Sequence, residues 1–229
     1  MQSASRTPEQ RQAGLATARI LLETKSIGFR PEEPFTLTSG WKTPVYVDCR
    51  RLISFPRARK KITEMAAQAL TREIGFESID AVAGGETAGI PFAAWISDAL
   101  SLPMLYVRKQ AKGFGRNAQI EGAVEAGDRA VLVEDLASDG TSKVNFCKAL
   151  RTAGMTVNDC FVVFFYGVFP EALKTLEEID VRLHFLANWW DVFDVAEQDG
   201  SLDRATVEEV RRFLHDPVAW SSLHGGRAA

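Results

Sequence analysis

The stretch Val131-Leu-Val-Glu-Asp-Leu-Ala-Ser-Asp-Gly-Thr-Ser-Lys143 gives the strongest indication of how this chain folds. Its apolar start predicts a buried strand that ends at two adjacent acids, Glu134 and Asp135. A turn of small polar residues then leads into a helix. Free N–H groups and the dipole at the helix N-terminus favour an anion such as phosphate. Ionised carboxylates only accept hydrogen bonds, so the two acids suit sugar hydroxyls.

From Phe55 onward, predicted helices alternate with short apolar strands. We expect helices near 57–74, 89–100, 142–153 and 170–178, and strands near 79–83, 104–108, 130–134, 160–165 and 182–186. This alternation predicts an α/β fold with a mostly parallel central sheet flanked by helices. Such sheets bind ligands beyond the carboxyl ends of their strands. The loops after Ala83, Val107 and Val133 are therefore expected around one mouth.

The ends of the chain add smaller elements to this core. We expect a helix over about 9–25, an irregular segment over 30–55 that contains a short strand near 44–48, and a helix around 203–214. The Gly225-Gly226 end is predicted to be mobile. We divide the chain into an N-terminal helix and hood segment (1–55), a core (56–187) and a C-terminal helical extension (188–229).

Composition excludes several classes of function. The net charge of −3 and pI near 5.7 argue against a general binder of nucleic acids or membrane surfaces. No secretory signal or membrane span is recognisable in the sequence. The three cysteines are widely spaced and form neither a metal motif nor a disulfide framework. We therefore expect a cytoplasmic protein with no membrane or nucleic-acid partner.

Two further loops suit a ligand with more than one phosphate group. Ala83-Gly-Gly-Glu-Thr-Ala-Gly-Ile-Pro91 offers exposed N–H groups after a strand and before a helix. The segment 106–122 concentrates positive charge around two glycines, at Arg108, Lys109, Lys112 and Arg116. A cationic loop beside a sugar-phosphate site can close over a pyrophosphate and exclude water. A simple turn and a solvated hairpin are the alternative interpretations.

A third segment, Phe35-Thr-Leu-Thr-Ser-Gly-Trp-Lys-Thr-Pro-Val-Tyr-Val-Asp48, completes an ordered set of motifs. With Gly84-Gly-Glu-Thr-Ala-Gly-Ile-Pro, Val107-Arg-Lys-Gln-Ala-Lys, Ile120-Glu-Gly and 131–143, the chain resembles the type I phosphoribosyltransferases. Among them it is most similar to the orotate phosphoribosyltransferase family, over roughly residues 10–187. The order and spacing of the motifs are more specific than any single motif. The resemblance implies the type I fold, with a small hood from the N-terminal segment and C-terminal additions.

The resemblance also implies a reaction, in which 5-phosphoribosyl 1-pyrophosphate and orotate give orotidine 5′-monophosphate and pyrophosphate during pyrimidine biosynthesis. Lys112, Glu134 and Asp135 would be catalytic, with Lys112 on the closing loop and both acids on the ribose hydroxyls. Orotate would lie against four residues: Thr38, Ser39, Gly40 and Ser138. The pyrophosphate loop would comprise Gly84, Gly85, Glu86 and Thr87. Residues that bind the sugar pyrophosphate would be Arg108, Lys109, Lys112, Glu134, Asp135, Ala137, Ser138, Asp139, Gly140, Thr141 and Ser142.

The same resemblance implies Mg²⁺ as cofactor, without predicted protein ligands of its own, and a homodimer in which the loop serves the neighbouring subunit. The chain departs from the family at several positions. Phe114 stands where many members have a histidine, and Thr38 and Ala88 stand where many have lysines. No arginine follows Tyr166, where many members use one to bind the orotate carboxylate. Lys42 or Arg50 are candidate replacements.

Two alternatives remain open at this point. A phosphoribosyltransferase for another base would explain the missing arginine after Tyr166. A regulator that senses the sugar phosphate without catalysis would keep the same pocket. Such a regulator usually carries a basic surface for nucleic acid, and this acidic chain has no basic stripe.

Overall fold

The structure, a computed structural model, describes residues 6–37, 39–113, 119–138, 141–168 and 171–227, with only the backbone of residues 141, 171 and 172. Within these ranges no helix is long and apolar enough to cross a membrane. The chain divides into two compact units. The first unit comprises Met1–Phe55, Tyr166–Phe169 and Ala187–Ala229, and the second comprises Pro56–Phe165 and Pro170–Leu186.

Helices and strands alternate through the middle of the chain. The helices are α1 (Pro8–Glu23), α2 (Pro56–Glu73), α3 (Gly89–Leu100), α4 (Thr141–Thr152), α5 (Glu171–Glu177), α6 (Trp189–Gln198), α7 (Arg204–His215) and α8 (Pro217–Leu223), with a 3₁₀ helix at Cys49–Ser54. The strands are β1 (Ile27–Phe29), β2 (Phe35–Thr36), β3 (Lys42–Thr43), β4 (Val45–Val47), β5 (Ala81–Gly85), β6 (Met104–Val107), β7 (Ile120–Glu121), β8 (Arg129–Ala137), β9 (Thr156–Phe165) and β10 (Arg182–Asn188).

The central sheet confirms the predicted mostly parallel α/β architecture. Its strand order is β10-β9-β8-β5-β6-β7. Strand β5 pairs in parallel with β6 and β8, and β8 pairs in parallel with β9, whereas β7 is antiparallel to β6. Leu132 and Val162 pack with Phe146 and Leu150 of α4 in one hydrophobic cluster. Burial of these strands between helices explains their nearly continuous apolar sequences.

The strand that was predicted near 130–134, with Glu134 and Asp135 at its end, continues further, to Ala137. Pairing between β8 and β9 continues past both acids, with Glu134 opposite Val162 and Ala137 opposite Phe165. The sequence pattern ended the strand too early because charged residues are rare in the interior of a parallel sheet. Both carboxylates are therefore fixed by a hydrogen-bonded strand rather than carried on a loop.

Segment 30–55, which the sequence predicted to be irregular, contains short strand pairs within the first unit. Ile27 pairs with Val47 in the β1–β4 ladder, and Phe35 pairs with Thr43 in the β2–β3 hairpin. The strand predicted near 44–48 is confirmed as β4 (Val45–Val47), whereas β1, β2 and β3 have too few residues for an alternating pattern to predict them.

Helices α1 and α6 of the first unit meet around a buried carboxylate. Asp191 is fully buried and forms ion pairs with Arg6 at 2.6 Å and Arg11 at 2.8 Å. It also accepts from the N–H of Asn188 as part of the α6 capping box. A side chain at Gly14 would meet the Asp191 carboxylate at 2.6 Å, so a glycine is needed for α1 to approach this closely.

The C-terminal end is a hydrogen-bonded segment, contrary to the predicted mobility of Gly225-Gly226. The N–H of Gly226 donates to the carbonyl of Ser221 at 2.8 Å, and the N–H of Arg227 donates to the carbonyl of Gly40 at 3.0 Å. Contacts with residues far away in sequence hold this end, and local composition cannot predict such contacts. The proposed division into 1–55, 56–187 and 188–229 stays a prediction.

We predict that Asp191→Ala lowers the free energy of unfolding by about 3 kcal/mol, because two arginines lose their buried partner. Urea denaturation followed by circular dichroism measures the change. Asp199→Ala is the matched control, since Asp199 and its partner Arg19 are about half exposed and such pairs contribute less than about 1 kcal/mol. Equal losses in both variants would contradict a structural role for the buried ion pairs.

Candidate active site

Three loops leave the same edge of the central sheet in the second unit. The parallel register places Gly85 of β5 opposite Val107 of β6, and Gly84 of β5 opposite Val133 of β8. The residues that follow these strands therefore start at one edge, as the alternating pattern predicted. This edge carries most of the site residues that the sequence indicated.

Glu134 occupies a narrow slot between β5 and the start of α3. A side chain at Gly85 would lie 2.0 Å from the Glu134 Oε1 atom, and one at Gly89 would lie 2.9 Å from the same atom. Gly89 also faces the carbonyl of Val133, which a side chain would meet at 2.3 Å. The position of Glu134 therefore requires glycine at both positions, because any side chain there would clash with its carboxylate.

Lys143 is the neighbour that compensates the buried carboxylate. Its Nζ atom lies 3.5 Å from the Glu134 Oε2 atom and 3.3 Å from the Ser142 hydroxyl. Both Lys143 and Glu134 are buried, at 6% and 7% exposure. The Glu134 Oε1 atom has no hydrogen-bond partner among the described residues. Sequence reasoning missed Lys143, although a lysine one turn into a helix after an acidic strand offered a signal.

Burial raises the pKa of Glu134 from 4.5 to about 7. The positive charge of Lys143 opposes this rise, while the negative charge of Asp135 adds to it. The carboxyl group is therefore close to half ionised at neutral pH. A ligand hydroxyl that donates to the Glu134 carboxylate would favour the ionised form.

The remaining residues of the β8–α4 segment surround the start of α4. Asp135 and Ser138 are half-buried, Ala137 is buried and Ser142 is exposed. Backbone N–H groups in the first turn of a helix lack partners within the helix and suit an anion. The predicted contacts at Asp139 and Gly140 lie outside the described residues, as does the side chain of Thr141.

The glycine loop after β5 packs against α3 and connects to the cationic loop. A side chain at Gly84 would meet Ala93 at 2.9 Å, so this position also needs a glycine. The N–H of Glu86 donates to the carbonyl of Val107, and the Glu86 carboxylate accepts from the N–H of Lys109 at 2.7 Å. Thr87 is exposed, and the Glu86–Thr87 peptide bond is cis.

The cationic loop starts as an antiparallel β-hairpin formed by β6 and β7. The N–H of Arg108 donates to the carbonyl of Gln119 at 2.7 Å, and the Arg108 guanidinium forms an ion pair with Glu121 at 2.8 Å. The hydrogen bond to Glu121 raises the pKa of Arg108 further above its ordinary value. Lys109 and Lys112 are exposed. Phe114 and Arg116 lie outside the described residues.

The segment predicted to contact the base belongs to the first unit. Leu37 and Trp41 close a short turn, in which the N–H of Leu37 donates to the carbonyl of Trp41 at 2.8 Å. Gly40 has a φ of +85°, which glycine adopts without strain. Ser39 and Gly40 are exposed, and Thr38 lies outside the described residues.

Tyr166, which precedes the segment where an arginine is missing, packs in the core of the first unit. Its ring is buried, its hydroxyl donates to the carbonyl of Val45 at 2.9 Å, and it packs edge-on against Trp189 at 5.3 Å. Burial raises the pKa of Tyr166 above its ordinary value. Within the first unit this residue is a structural part of the core.

Comparison with known proteins identifies the family. The model of the phosphoribosyl transferase domain matches residues 52–187. The chain therefore belongs to the phosphoribosyltransferase family, whose members are glycosyltransferase-type enzymes. Orotate phosphoribosyltransferase from Roseobacter denitrificans is 50% identical over 217 residues, which are 95% of this chain and 96% of the relative.

Solved structures give the same fold. The crystal structure of orotate phosphoribosyltransferase from Aeropyrum pernix has a TM-score of 0.68 and 31% identity, and the match covers 81% of this chain and 99% of that one. UMP synthase from Leishmania donovani has a TM-score of 0.75 and 26% identity, over 88% of this chain and 42% of that one.

We predict that Glu134→Gln removes a pH dependence of stability. Below pH 4.5 Glu134 is protonated in both states, but between 4.5 and about 7 only the folded protein holds the proton. The contribution of Glu134 to stability therefore falls as pH rises through this window. The free energy of unfolding of ligand-free Glu134→Gln should thus rise relative to wild type over the same window, as measured by urea denaturation at several pH values. Glu125→Gln, at an exposed position, should follow wild type, and a difference for Glu134→Gln that is independent of pH would contradict this assignment.

Proposed function

We propose that the chain is an orotate phosphoribosyltransferase. It transfers the 5-phosphoribosyl group from 5-phosphoribosyl 1-pyrophosphate to orotate, and the products are orotidine 5′-monophosphate and pyrophosphate in de novo pyrimidine biosynthesis. The observation that carries this proposal is the 50% identity to a protein of that name over 95% of the chain. The carboxylates and the helix N-terminus at the end of β8 supply chemistry that suits the sugar phosphate.

The positions of the core residues support the roles that we propose for them. Asp135 and Glu134 hold the ribose hydroxyls, and pairing of β8 with β9 fixes the backbone that carries both acids. The segment Ala137–Ser142 wraps the 5′-phosphate at the start of α4. The loop from Gly84 to Thr87 meets the pyrophosphate through backbone groups. The positive charge of Lys143 offsets the negative charge of Glu134, which reduces the repulsion between this carboxylate and the anionic substrate.

Catalysis in this proposal depends on position and charge. The bond between C1 of the ribose and the pyrophosphate oxygen breaks, C1 develops positive charge, and a ring nitrogen of orotate forms the new bond. Orotate is an anion, so the step needs no strong general base. Arg108, Lys109 and Lys112 offset the negative charge that develops on the departing pyrophosphate. Closure of the loop around Lys112 excludes water from the reacting centre.

Mg²⁺ is the proposed cofactor, and the donor set fits its usual mode of binding. No cluster of three or more histidine, cysteine or acidic side chains suited to a metal occurs among the described residues. Glu134 is already paired with Lys143, whereas Asp135 is a half-buried carboxylate next to it on β8 and could serve as a donor. Mg²⁺ commonly binds one or two carboxylates together with substrate phosphates and waters. When bound, it would supply positive charge to the pyrophosphate.

The proposed assembly is a homodimer in which Lys112 serves the neighbouring subunit. Lys112 is exposed at the described end of the hairpin, next to Gly113, where an added side chain would meet no described residue within 4 Å. We place the reaction in the cytoplasm, which suits the free, buried thiols Cys49, Cys147 and Cys160. A phosphoribosyltransferase for another base is the second candidate, favoured by the missing arginine after Tyr166.

We predict that purified protein forms orotidine 5′-monophosphate only when orotate, 5-phosphoribosyl 1-pyrophosphate and Mg²⁺ are all present. Chromatography of the products measures the reaction, and EDTA should abolish it. Uracil and adenine in place of orotate are the controls for base specificity. Product from another base and none from orotate would replace the proposed function with the second candidate. Binding of the sugar pyrophosphate without turnover of any base would indicate a regulator.

We predict that Lys112→Ala lowers kcat by about 100-fold or more and changes KM for either substrate by less than about 3-fold, because Lys112 acts on charge that develops in the transition state. Steady-state kinetics measures both parameters. Lys60→Ala, at an exposed lysine of α2, is the matched control. A rise in KM with unchanged kcat would contradict this role.

A mixture of two variant subunits tests whether Lys112 acts in the site of the neighbouring subunit. If Lys112 acts across the dimer, a refolded mixture of Lys112→Ala and Asp135→Ala subunits contains sites with both residues intact. Its activity should then exceed that of either variant alone. A mixture with no more activity than its parents would place Lys112 in the site of its own subunit.

A further inference from the structure

The carboxylate of orotate needs a cationic partner, and the sequence leaves that partner unassigned. The segment Tyr166-Gly-Val168 contains no cation. Arg50, one candidate from the sequence, forms an ion pair with the Asp48 carboxylate at 2.7 Å. Its charge is therefore already compensated within the 3₁₀ segment. The first unit contains a further cation close to the loop that we propose for base binding.

That cation is Arg227, and hydrogen bonds fix its backbone beside this loop. The N–H of Arg227 donates to the carbonyl of Gly40 at 3.0 Å. The Ser221 hydroxyl links both segments, since it accepts from the N–H of Lys42 at 3.0 Å and donates to the carbonyl of Arg227 at 3.2 Å. A side chain at Gly226 would lie 2.4 Å from the Ser221 hydroxyl and 2.7 Å from the backbone nitrogen of Lys42, so this approach requires a glycine.

The Arg227 guanidinium is available for an anion. It lies over the Trp41 ring, 5.5 Å from the ring centroid, and Arg227 as a whole is exposed. It has no ion pair with a carboxylate in the part of the chain that the structure describes. A guanidinium stacked on an aromatic ring keeps its N–H donors at its edge, where they match the two oxygens of a carboxylate.

We propose that Arg227 is a specificity-determining residue that binds the carboxylate of the anionic base, and that the segment Ser221–Arg227 positions it against the turn Leu37–Lys42. This inference rests on the proposed function and on the base contacts proposed for Ser39 and Gly40. Arg227 then supplies the positive charge that the segment after Tyr166 lacks. Discrimination between orotate and uncharged pyrimidines then depends on Arg227.

Lys42 is the competing cation on the same turn. Its backbone N–H donates to the Ser221 hydroxyl, and its Cγ atom would lie 2.7 Å from a side chain added at Gly226. An ammonium group is a point charge without the paired donors of a guanidinium. The geometry therefore favours Arg227, and Lys42→Ala provides a direct comparison.

The test is steady-state formation of orotidine 5′-monophosphate by wild type, Arg227→Ala, Arg227→Lys, Lys42→Ala and Arg204→Ala. Arg204 is the matched control, an arginine whose side chain is 93% exposed on α7. Arg227→Ala should raise KM for orotate by about 10-fold to 100-fold, the loss typical of a hydrogen bond to a charged group. It should change KM for 5-phosphoribosyl 1-pyrophosphate by less than about 2-fold. Arg227→Lys should fall between wild type and Arg227→Ala.

Inhibition by uracil separates carboxylate binding from general damage to the turn. Uracil has the pyrimidine ring without the carboxylate, so its inhibition constant should be the same for wild type and Arg227→Ala. Equal weakening of uracil and orotate would overturn the assignment, because it would indicate a structural role alone. Gly226→Ala retains Arg227 but disturbs its position, and it should raise KM for orotate as well.

The remaining outcomes are also decisive. An active wild type with unchanged KM for orotate in Arg227→Ala would overturn this inference and leave the proposed function intact. A larger effect from Lys42→Ala than from Arg227→Ala would assign the carboxylate to Lys42 instead. Absence of orotidine 5′-monophosphate from the wild-type reaction would overturn the proposed function and this inference with it.

Discussion

The buried carboxylate of Glu134 is the constraint on which the second unit depends most. A charged group inside a parallel sheet loses its hydration, and the ammonium group of Lys143 is the main charge that opposes this cost. Space for the carboxylate comes from Gly85 on β5 and Gly89 at the start of α3. These glycines in turn allow β5, α3 and β8 to approach closely. One acid thus determines residue choice on three elements, with glycines on β5 and α3 and a lysine on α4.

The helices and strands of the core are well predicted because their apolar patterns are long and regular. Apolar periodicity predicts helix α3 at 89–100, and the helix is found at Gly89–Leu100, while the parallel strands follow from apolar runs between helices. The predictions fail where long-range contacts decide the structure. Asn188 and Asp191 form the capping box at the start of α6. The arginines that pair with Asp191, Arg6 and Arg11, precede it by 185 and 180 residues in the sequence. Sequence patterns within a window of residues cannot detect such partners.

In the candidate site, too, local sequence patterns identify some residues, whereas long-range contacts determine the surroundings of others. The acids of β8 and the cations after β6 are recognisable in the sequence by residue type and spacing, and the roles assigned to them stay predictions. The ion pair of Arg108 with Glu121 and the hydrogen bond from Lys109 to Glu86 depend on strand register, which the sequence does not specify. Sequence patterns miss Lys143 because its significance lies in the carboxylate that it faces, and for the same reason they give no signal for the role that we propose for Arg227. A lysine in a helix and an arginine near a chain end are ordinary in isolation.

Hydrogen bonds between residues far apart in the sequence hold the first unit together, and they determine when its contacts can form during synthesis. Arg6 lies 185 positions before Asp191, and Lys42 lies 179 positions before Ser221. Ribosomes add roughly 5–20 residues per second, and domains fold as their residues emerge. The second unit, whose residues end at Leu186, has its full sequence while the early helix and turn still lack their partners. Arg6 and Lys42 therefore reach these contacts only after the intervening residues have been added, which takes roughly 10–40 s at this rate.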